Sequence, residues 1–202
     1  MKMKTFRKIR RWLRYNLLYL GSPRWNTGIS PPELIHFLEN HEPGIALDVG
    51  CGTGTNLLTM TEYGWQVVGM DIALLSILRA RKKLSAANTQ ARVMLRSATA
   101  ETRLDAQFDL VLDIGCFHSL SEKGRNDYRQ NLKRWLKPGG HYLLYAHQRT
   151  TPAASHGVAG DDFSAFESFL DLKWQTDQDE NRPDGKGGIP STWAEFQRGS
   201  EL

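Results

Sequence analysis

The stretch Leu47-Asp-Val-Gly-Cys-Gly-Thr-Gly54 sets three glycines one residue apart, between the apolar run Ile45 to Val49 and a segment of helical spacing from Asn56. It reads as a strand that ends in a tight turn and opens a helix. With no side chains at Gly50, Gly52 and Gly54, backbone N–H groups can approach a ligand, and a helix N-terminus favours a negative group. A second apolar run, Trp65 to Met70, ends at Asp71. That carboxylate follows the turn by roughly 20 residues, where a doubly wound fold sets an acid against ribose hydroxyls. The pattern implies a cofactor that carries a nucleoside.

The dinucleotide fingerprint of NAD enzymes is excluded by spacing. It needs Gly-x-Gly-x-x-Gly, whereas this chain has Gly50-x-Gly52-x-Gly54 with Asp48 two residues ahead. Asp48 to Gly54, followed by Gly69-Met-Asp71, resembles the class I S-adenosylmethionine-dependent methyltransferases. The likeness continues through Phe108-Asp-Leu-Val-Leu-Asp-Ile-Gly-Cys-Phe-His-Ser-Leu120 and Leu136-Lys-Pro-Gly-Gly-His-Tyr-Leu-Leu144, in that family's order. It covers nearly the whole chain. The resemblance implies a Rossmann-like, doubly wound α/β domain with a mostly parallel seven-stranded sheet and an antiparallel edge hairpin. It also implies S-adenosylmethionine as cofactor, held by Asp48, Gly50, Cys51, Gly52, Thr53, Gly54, Asp71, Ile72, Ala98, Thr99, Asp113 and Ile114. Ala98 is a departure, because relatives often carry there an acid that accepts from the adenine amine. Adenine contacts are then expected from backbone around Ala98 and Thr99, from a hydroxyl, or from Glu101 in a shifted register.

Beyond Asp71 the spacing alternates between helix and strand. It predicts a helix over Ala73–Leu84, strands over Ala91–Leu95 and Leu110–Asp113, a helix over Gly124–Leu136 halted by Pro138-Gly-Gly140, and a strand over Tyr142–Ala146. A loop from His147 to Asp162 leads to a short helix, Phe163–Leu170. Strands over Leu170–Thr176 and Ser191–Gln197 follow, separated by a polar loop, Asp177 to Pro190. Strands that alternate with helices imply a parallel sheet.

The 202 residues are enough for one domain with a real core, and the two cysteines, Cys51 and Cys116, are too few for a disulfide framework. No metal-ligand spacing of Cys and His is present. The default setting is reducing and cytoplasmic. The formal net charge of +4 is uneven: the first 32 residues hold eight Lys or Arg and no acid, leaving 18 basic against 22 acidic residues. A broad nucleic-acid face is therefore disfavoured. No Asn-Pro-Pro-Tyr motif of amino-directed nucleic-acid enzymes follows the fourth strand, which argues against DNA, and no RNA-binding module is appended.

Residues 1–20 read as a basic amphipathic helix ahead of a methyltransferase domain over 21–202. Phe6, Ile9, Leu13, Leu17 and Leu20 fall on one stripe, with Lys4, Arg7, Lys8, Arg11 and Arg14 to the flank and rear. Two readings stand: the stripe docks on the domain, or it meets a membrane surface or an acidic partner. The apolar run after Arg14 is too short for a signal peptide. Pro31-Pro32-Glu33 starts a helix to about Leu38. The segment from Trp25 to Leu34 is similar to N-terminal segments of thiol and thiopurine methyltransferases, where the region closes over cofactor and acceptor; Trp25 is then expected beside the sulfonium.

Methyl transfer from a sulfonium is an in-line displacement, so the protein chiefly aligns the acceptor and excludes water. A base helps where the acceptor keeps a proton near neutral pH. His118, just past the strand Leu110–Asp113, is the candidate base; a capping role is its alternative. Cys116, Tyr145 and His147 join Trp25 and His118 as acceptor-side candidates. The expected function is methyl transfer to a small S, N or O acceptor. A membrane-surface lipid or quinone methyltransferase and a non-catalytic cofactor-binding scaffold are the alternatives.

Overall fold

A computed structural model describes residues 10, 12–101, 104, 108–151, 154, 156–180 and 188–200. Seven strands form one sheet in the order β3-β2-β1-β4-β5-β7-β6. Contacts concentrate in two units, Met1–Pro43 with Gly50–Ala98, and Gly44–Val49 with Thr99–Leu202.

The first unit holds α1 (12–18), α2 (Pro32–Asn40), α3 (Thr55–Glu62), β2 (Gln66–Asp71), α4 (Leu74–Ala86) and β3 (Arg92–Leu95). β2 and β3 pair in parallel, Asp71 opposite Leu95. Pro32 opens α2 because its fixed φ suits a first turn that needs no N–H. Leu34, Phe37 and Leu38 of α2, Leu57 and Met60 of α3, and Ile77, Ala80 and Leu84 of α4 recur at helical spacing and are buried.

The second unit holds β1 (Ile45–Val49), β4 (Phe108–Ile114), α5 (Glu122–Trp135), β5 (Leu136–His147), α6 (Gly160–Glu167), β6 (Asp171–Glu180) and β7 (Ile189–Gln197). β1, β4 and β5 run in parallel, and Val49 pairs with Asp113 and Ile114 with Tyr145. Their carboxyl ends therefore lie together. β7 pairs antiparallel with both β5 and β6, which puts the expected antiparallel hairpin at the sheet edge. Ser121 caps α5, its Oγ accepting from Gly124 N–H at 3.3 Å. Tyr128, Trp135, Phe117, Tyr142, Phe166 and Phe196 make a fully buried aromatic core.

The largest boundary differences from the sequence reading are in β5, α6, β6 and β7. β5 starts at Leu136, so the Pro-Gly-Gly segment lies inside a strand: pairing jumps from Phe108–Leu136 to Leu110–His141, and the extra residues bulge out. Gly140 allows this, since a Cβ there would meet the Phe108 carbonyl oxygen at 2.8 Å. The helix expected over Phe163–Leu170 begins earlier, at Gly160, with Asp161 and Asp162 in its first turn. β6 and β7 extend through residues assigned to a loop because their polar side chains hide a ladder running from Asp171–Gln197 to Glu180–Ile189.

Candidate active site

The glycine turn is tied to the end of β2. Gly50 and Cys51 N–H both donate to the Met70 carbonyl, at 2.8 and 3.0 Å. Asp71 is fixed toward the turn: Gly52 N–H donates to Oδ2 at 3.0 Å and Ala73 N–H to Oδ1 at 2.7 Å. Burial raises the Asp71 pKa, opposed by these amides. The Ser76 hydroxyl and the Ile72 amide oppose the rise as well, so the carboxylate is held in its charged, accepting form beside the turn. Gly52 has a φ of 52°, and a Cβ there would lie 2.9 Å from Tyr19 Oη. A turn of bare backbone at the start of α3, with a fixed acid beside it, fits a cofactor bearing both a ribose and a negative group. Cys51 is buried, and its Sγ lies 2.8 Å from where a Gly69 Cβ would stand, so its side chain packs while its backbone shapes the turn.

The N-terminal segment reaches this turn through Tyr19, with Trp25 bonded to it. Trp25 is 55% exposed, and its Nε1–H donates to Tyr19 Oη at 3.1 Å. Tyr19 is the side chain against the turn. Burial, then the Asp71 charge, pushes its phenol well above the ordinary value. Thr53 Oγ1 and Asn26 Oδ1 are 2.5 Å apart, and Ser30 Oγ lies 2.8 Å from Asn56 Oδ1. The loop is thus fastened to the turn and to the first turn of α3. Tyr19 was passed over in the sequence because it sits among the rings of an amphipathic segment; its signal is that it lies opposite the Leu13 and Leu17 stripe.

α1 is turned over relative to the reading in which its leucine stripe docks. Tyr19 is buried and Tyr15 and Asn16 are half-buried, whereas Leu13, Leu17 and Leu20 are exposed. Asn16 Oδ1 accepts from Leu75 N–H at the start of α4 at 3.3 Å, and Arg79 donates to the Gly21 carbonyl at 2.8 Å. Inward rings bring polar tips to satisfy, and this unit supplies partners for them. Phe6, Ile9, Lys4, Arg7, Lys8 and Arg11 lie outside the described residues.

In the second unit His118, Tyr145 and His147 come together past the carboxyl ends of β4 and β5. The His118 and His147 rings stack, with centroids 4.4 Å apart, and Tyr145 meets His147 edge-on at 5.9 Å. Trp193, unnoticed in the sequence, adds a ring 5.1 Å from Tyr145 because β7 sets the two opposite each other. His118 Nδ1 accepts from His147 N–H at 3.0 Å. Burial, then the charges of His147, His156 and Arg125, pulls the His118 pKa down to about 3. With Nδ1 as acceptor, the neutral ring carries its proton on Nε2. The His118 carbonyl accepts from Gly157 N–H at 3.1 Å and from Arg125 at 3.3 Å. Arg125 also donates to the Gly157 carbonyl at 2.5 Å and pairs with buried Asp162. One guanidinium therefore joins Gly157 and Asp162 to His118.

Asp113 is fully buried, and its carboxylate accepts from the N–H groups of Cys116, at 2.8 Å, and Phe117, at 3.1 Å. Burial pushes its pKa up to about 7 against these bonds. It lies beneath the strand-to-helix turn as a cap. Cys116 and Ile114 are half-buried beside it. Ala98 is buried, Ile72 and Thr99 half-buried, and Arg96 N–H donates to the Asp71 carbonyl at 2.8 Å. Glu101 faces solvent, 3.7 Å from Arg134. Asp48 is buried in β1, opposite Leu112.

Residues 46–140 match the family model described as a methyltransferase domain. Over 124 residues the chain is 29% identical to 2-heptyl-1-hydroxyquinolin-4(1H)-one methyltransferase of Mycobacteroides abscessus, covering 60% of this chain and 55% of that protein. It is 30% identical over 104 residues to uncharacterized methyltransferase C750.03c of Schizosaccharomyces pombe, covering 52% of this chain and 72% of the relative. The chain thus spans about half the length of the first of these. The crystal structure of Burkholderia thailandensis 1,6-didemethyltoxoflavin-N1-methyltransferase, with bound 1,6-didemethyltoxoflavin and S-adenosylhomocysteine, aligns with a TM-score of 0.73 at 17% identity. That alignment covers 96% of this chain and 90% of the other, and it shows a shared fold. The glycine turn with its fixed acid, the strand order and these likenesses agree: the chain belongs to the class I S-adenosylmethionine-dependent methyltransferases.

Proposed function

We propose that this protein transfers the methyl group of S-adenosylmethionine to a small-molecule acceptor. The observation that carries the reading is the bare glycine turn with Asp71 held toward it by the Gly52 and Ala73 amides. Asp71 would accept from the ribose hydroxyls, and the amides of Gly52 to Gly54 at the start of α3 would meet the negative end of the cofactor. Ile72, Ala98 and Thr99 would line its base through backbone and apolar contact. The cofactor supplies an activated methyl group, so the protein's task is to orient the acceptor and exclude water.

His118, Tyr145 and His147 would form the acceptor face, two stacked imidazoles with the phenol edge-on and buried Trp193 behind it, an arrangement suited to a planar heteroaromatic molecule. The quinolone and toxoflavin substrates in the names of two relatives are of that kind. A general base at His118 needs an Nε2 free of its proton, and the amide on Nδ1 opposes this. His118 then acts as a hydrogen-bond donor to an acceptor atom that is ionised or has a free lone pair at neutral pH. Thiolates, N-hydroxy and phenolic oxyanions and ring nitrogens meet that condition. A lipid or quinone acceptor taken from a membrane is a second reading, favoured by the exposed leucines of α1.

Incubation with radiolabelled methyl donor and thiol, amine, phenol and N-hydroxy heteroaromatic acceptors tests the reading. Turnover is expected with planar acceptors that ionise near neutral pH. Binding of S-adenosylhomocysteine with no turnover on any class would instead make the chain a cofactor-binding scaffold.

A further inference from the structure

Among the described residues no helix is long and apolar enough to cross a membrane. The outward face of α1 and of the turn that ends it at Tyr19 and Leu20 is nevertheless apolar. Leu13, Leu17 and Leu20 are 47%, 63% and 69% exposed, with Leu18 beside them. Leu13 and Leu17 lie one helical turn apart, so their side chains stand on one side of the cylinder. Arg10 and Arg14 are exposed on the same turns. On α4, to which Asn16 and Arg79 tie this segment, Leu74 and Leu78 are exposed as well. The inner face of α1 is already committed to its own unit through Tyr15, Asn16 and Tyr19. Among the described residues the helix therefore has an anchored side and a side that no other residue covers.

We propose that this outer face docks on an anionic lipid bilayer, with the leucines in the acyl boundary and the arginines among the headgroups. Charge selects this occupant. The first 32 residues carry eight cationic side chains and no acidic one, while the rest of the chain carries more acids than bases. A second copy of the chain would set this cationic segment against itself, and an acidic bilayer attracts it. Leucine with flanking arginine on one helical face is the arrangement that lies in a membrane interface, where long cationic side chains reach back to the headgroups. The docked helix would keep Tyr19 at the glycine turn, because the face that meets the lipid is not the face that meets the protein. The inference is independent of which acceptor is methylated.

The test uses the full chain, with mixed phosphatidylcholine and phosphatidylglycerol vesicles against vesicles of phosphatidylcholine alone. Co-sedimentation is expected with the anionic vesicles, weakening as salt screens charges beyond about 8 Å at physiological ionic strength. Leu13→Ser, Leu17→Ser and Leu20→Ser together should lower vesicle binding at least about thirtyfold, from the apolar area they remove from the lipid. Affinity for S-adenosylhomocysteine, read by calorimetry without lipid, should stay at the wild-type value, which separates a lost surface from a lost fold. No binding to anionic vesicles at low salt would overturn the proposal, as would a triple variant that binds like the wild type. So would sedimentation velocity showing a dimer that the triple variant dissolves, since the face would then belong to a second copy. A chain that binds vesicles but not S-adenosylhomocysteine would uphold docking while removing the cofactor reading.

Discussion

Asp71 is set by two backbone amides, so its carboxylate faces the glycine turn before any ligand arrives. Such preorganisation should make its contribution to cofactor affinity large. Asp71→Ala removes a charged acceptor, worth about 1.5–3 kcal/mol, and the Kd for S-adenosylhomocysteine should rise at least about tenfold in calorimetry. An unchanged Kd would remove Asp71 from the site. His118 carries a pH signature. Its folded pKa of about 3 lies below the ordinary 6.5, so the folded state binds fewer protons there than the unfolded chain. Stability from this residue is present above pH 6.5 and is lost as pH falls toward 3. His118→Gln keeps an acceptor for the His147 amide but does not titrate. The stability of the wild type relative to this variant should therefore fall between pH 6.5 and 4 in urea titrations, and a constant difference would mean that the ring is not desolvated.

At the level of elements, two attachments govern what can move. α1 is held by Tyr19 and by the bond from Leu75 N–H to Asn16. Tyr19→Ala should release it without unfolding the rest: amide exchange over residues 12–20 should approach unprotected rates while α3 and α4 stay protected. If protection in α1 is unchanged, the helix is held by something other than Tyr19. The loop after β5 is held by Arg125, whose guanidinium joins Asp162, the Gly157 carbonyl and the His118 carbonyl. Removing one partner of a buried pair leaves the other charge in low dielectric. Arg125→Ala should cost about 3–5 kcal/mol in urea unfolding. Arg129 and Arg149, 3.3 and 3.9 Å from the same carboxylate, set the lower bound by sharing its charge. A loss well under 1 kcal/mol would show that these two replace Arg125.

For the whole molecule, a ligand that binds only the folded chain stabilises it by mass action. S-adenosylhomocysteine at a hundred times its Kd should add about 2.7 kcal/mol. For a chain of this size that raises the Tm by roughly 5–10 °C. NAD at equal concentration should leave the Tm unchanged, and a rise with NAD would contradict the glycine spacing. That spacing is local chemistry, which is why the turn, its flanking strand, Asp71 and the alternation of strands and helices were legible in the chain: each depends on a backbone conformation or a periodicity confined to a few residues. That His118, Tyr145 and His147 come together was legible for a related reason, since strand ends in a parallel sheet are where side chains converge. Pairing between distant residues was not legible. Trp193 reaches Tyr145 through an antiparallel register, Asp162 reaches Arg125 across 37 residues, and the tautomer of His118 follows from an amide 29 residues away. The orientation of α1 belongs to the same class. Its sequence offers an aromatic side and a leucine side, and only the tertiary structure, by placing Gly52, Asp71 and the first turn of α4 beside this segment, decided that Tyr15, Asn16 and Tyr19 turn inward while Leu13, Leu17 and Leu20 face out.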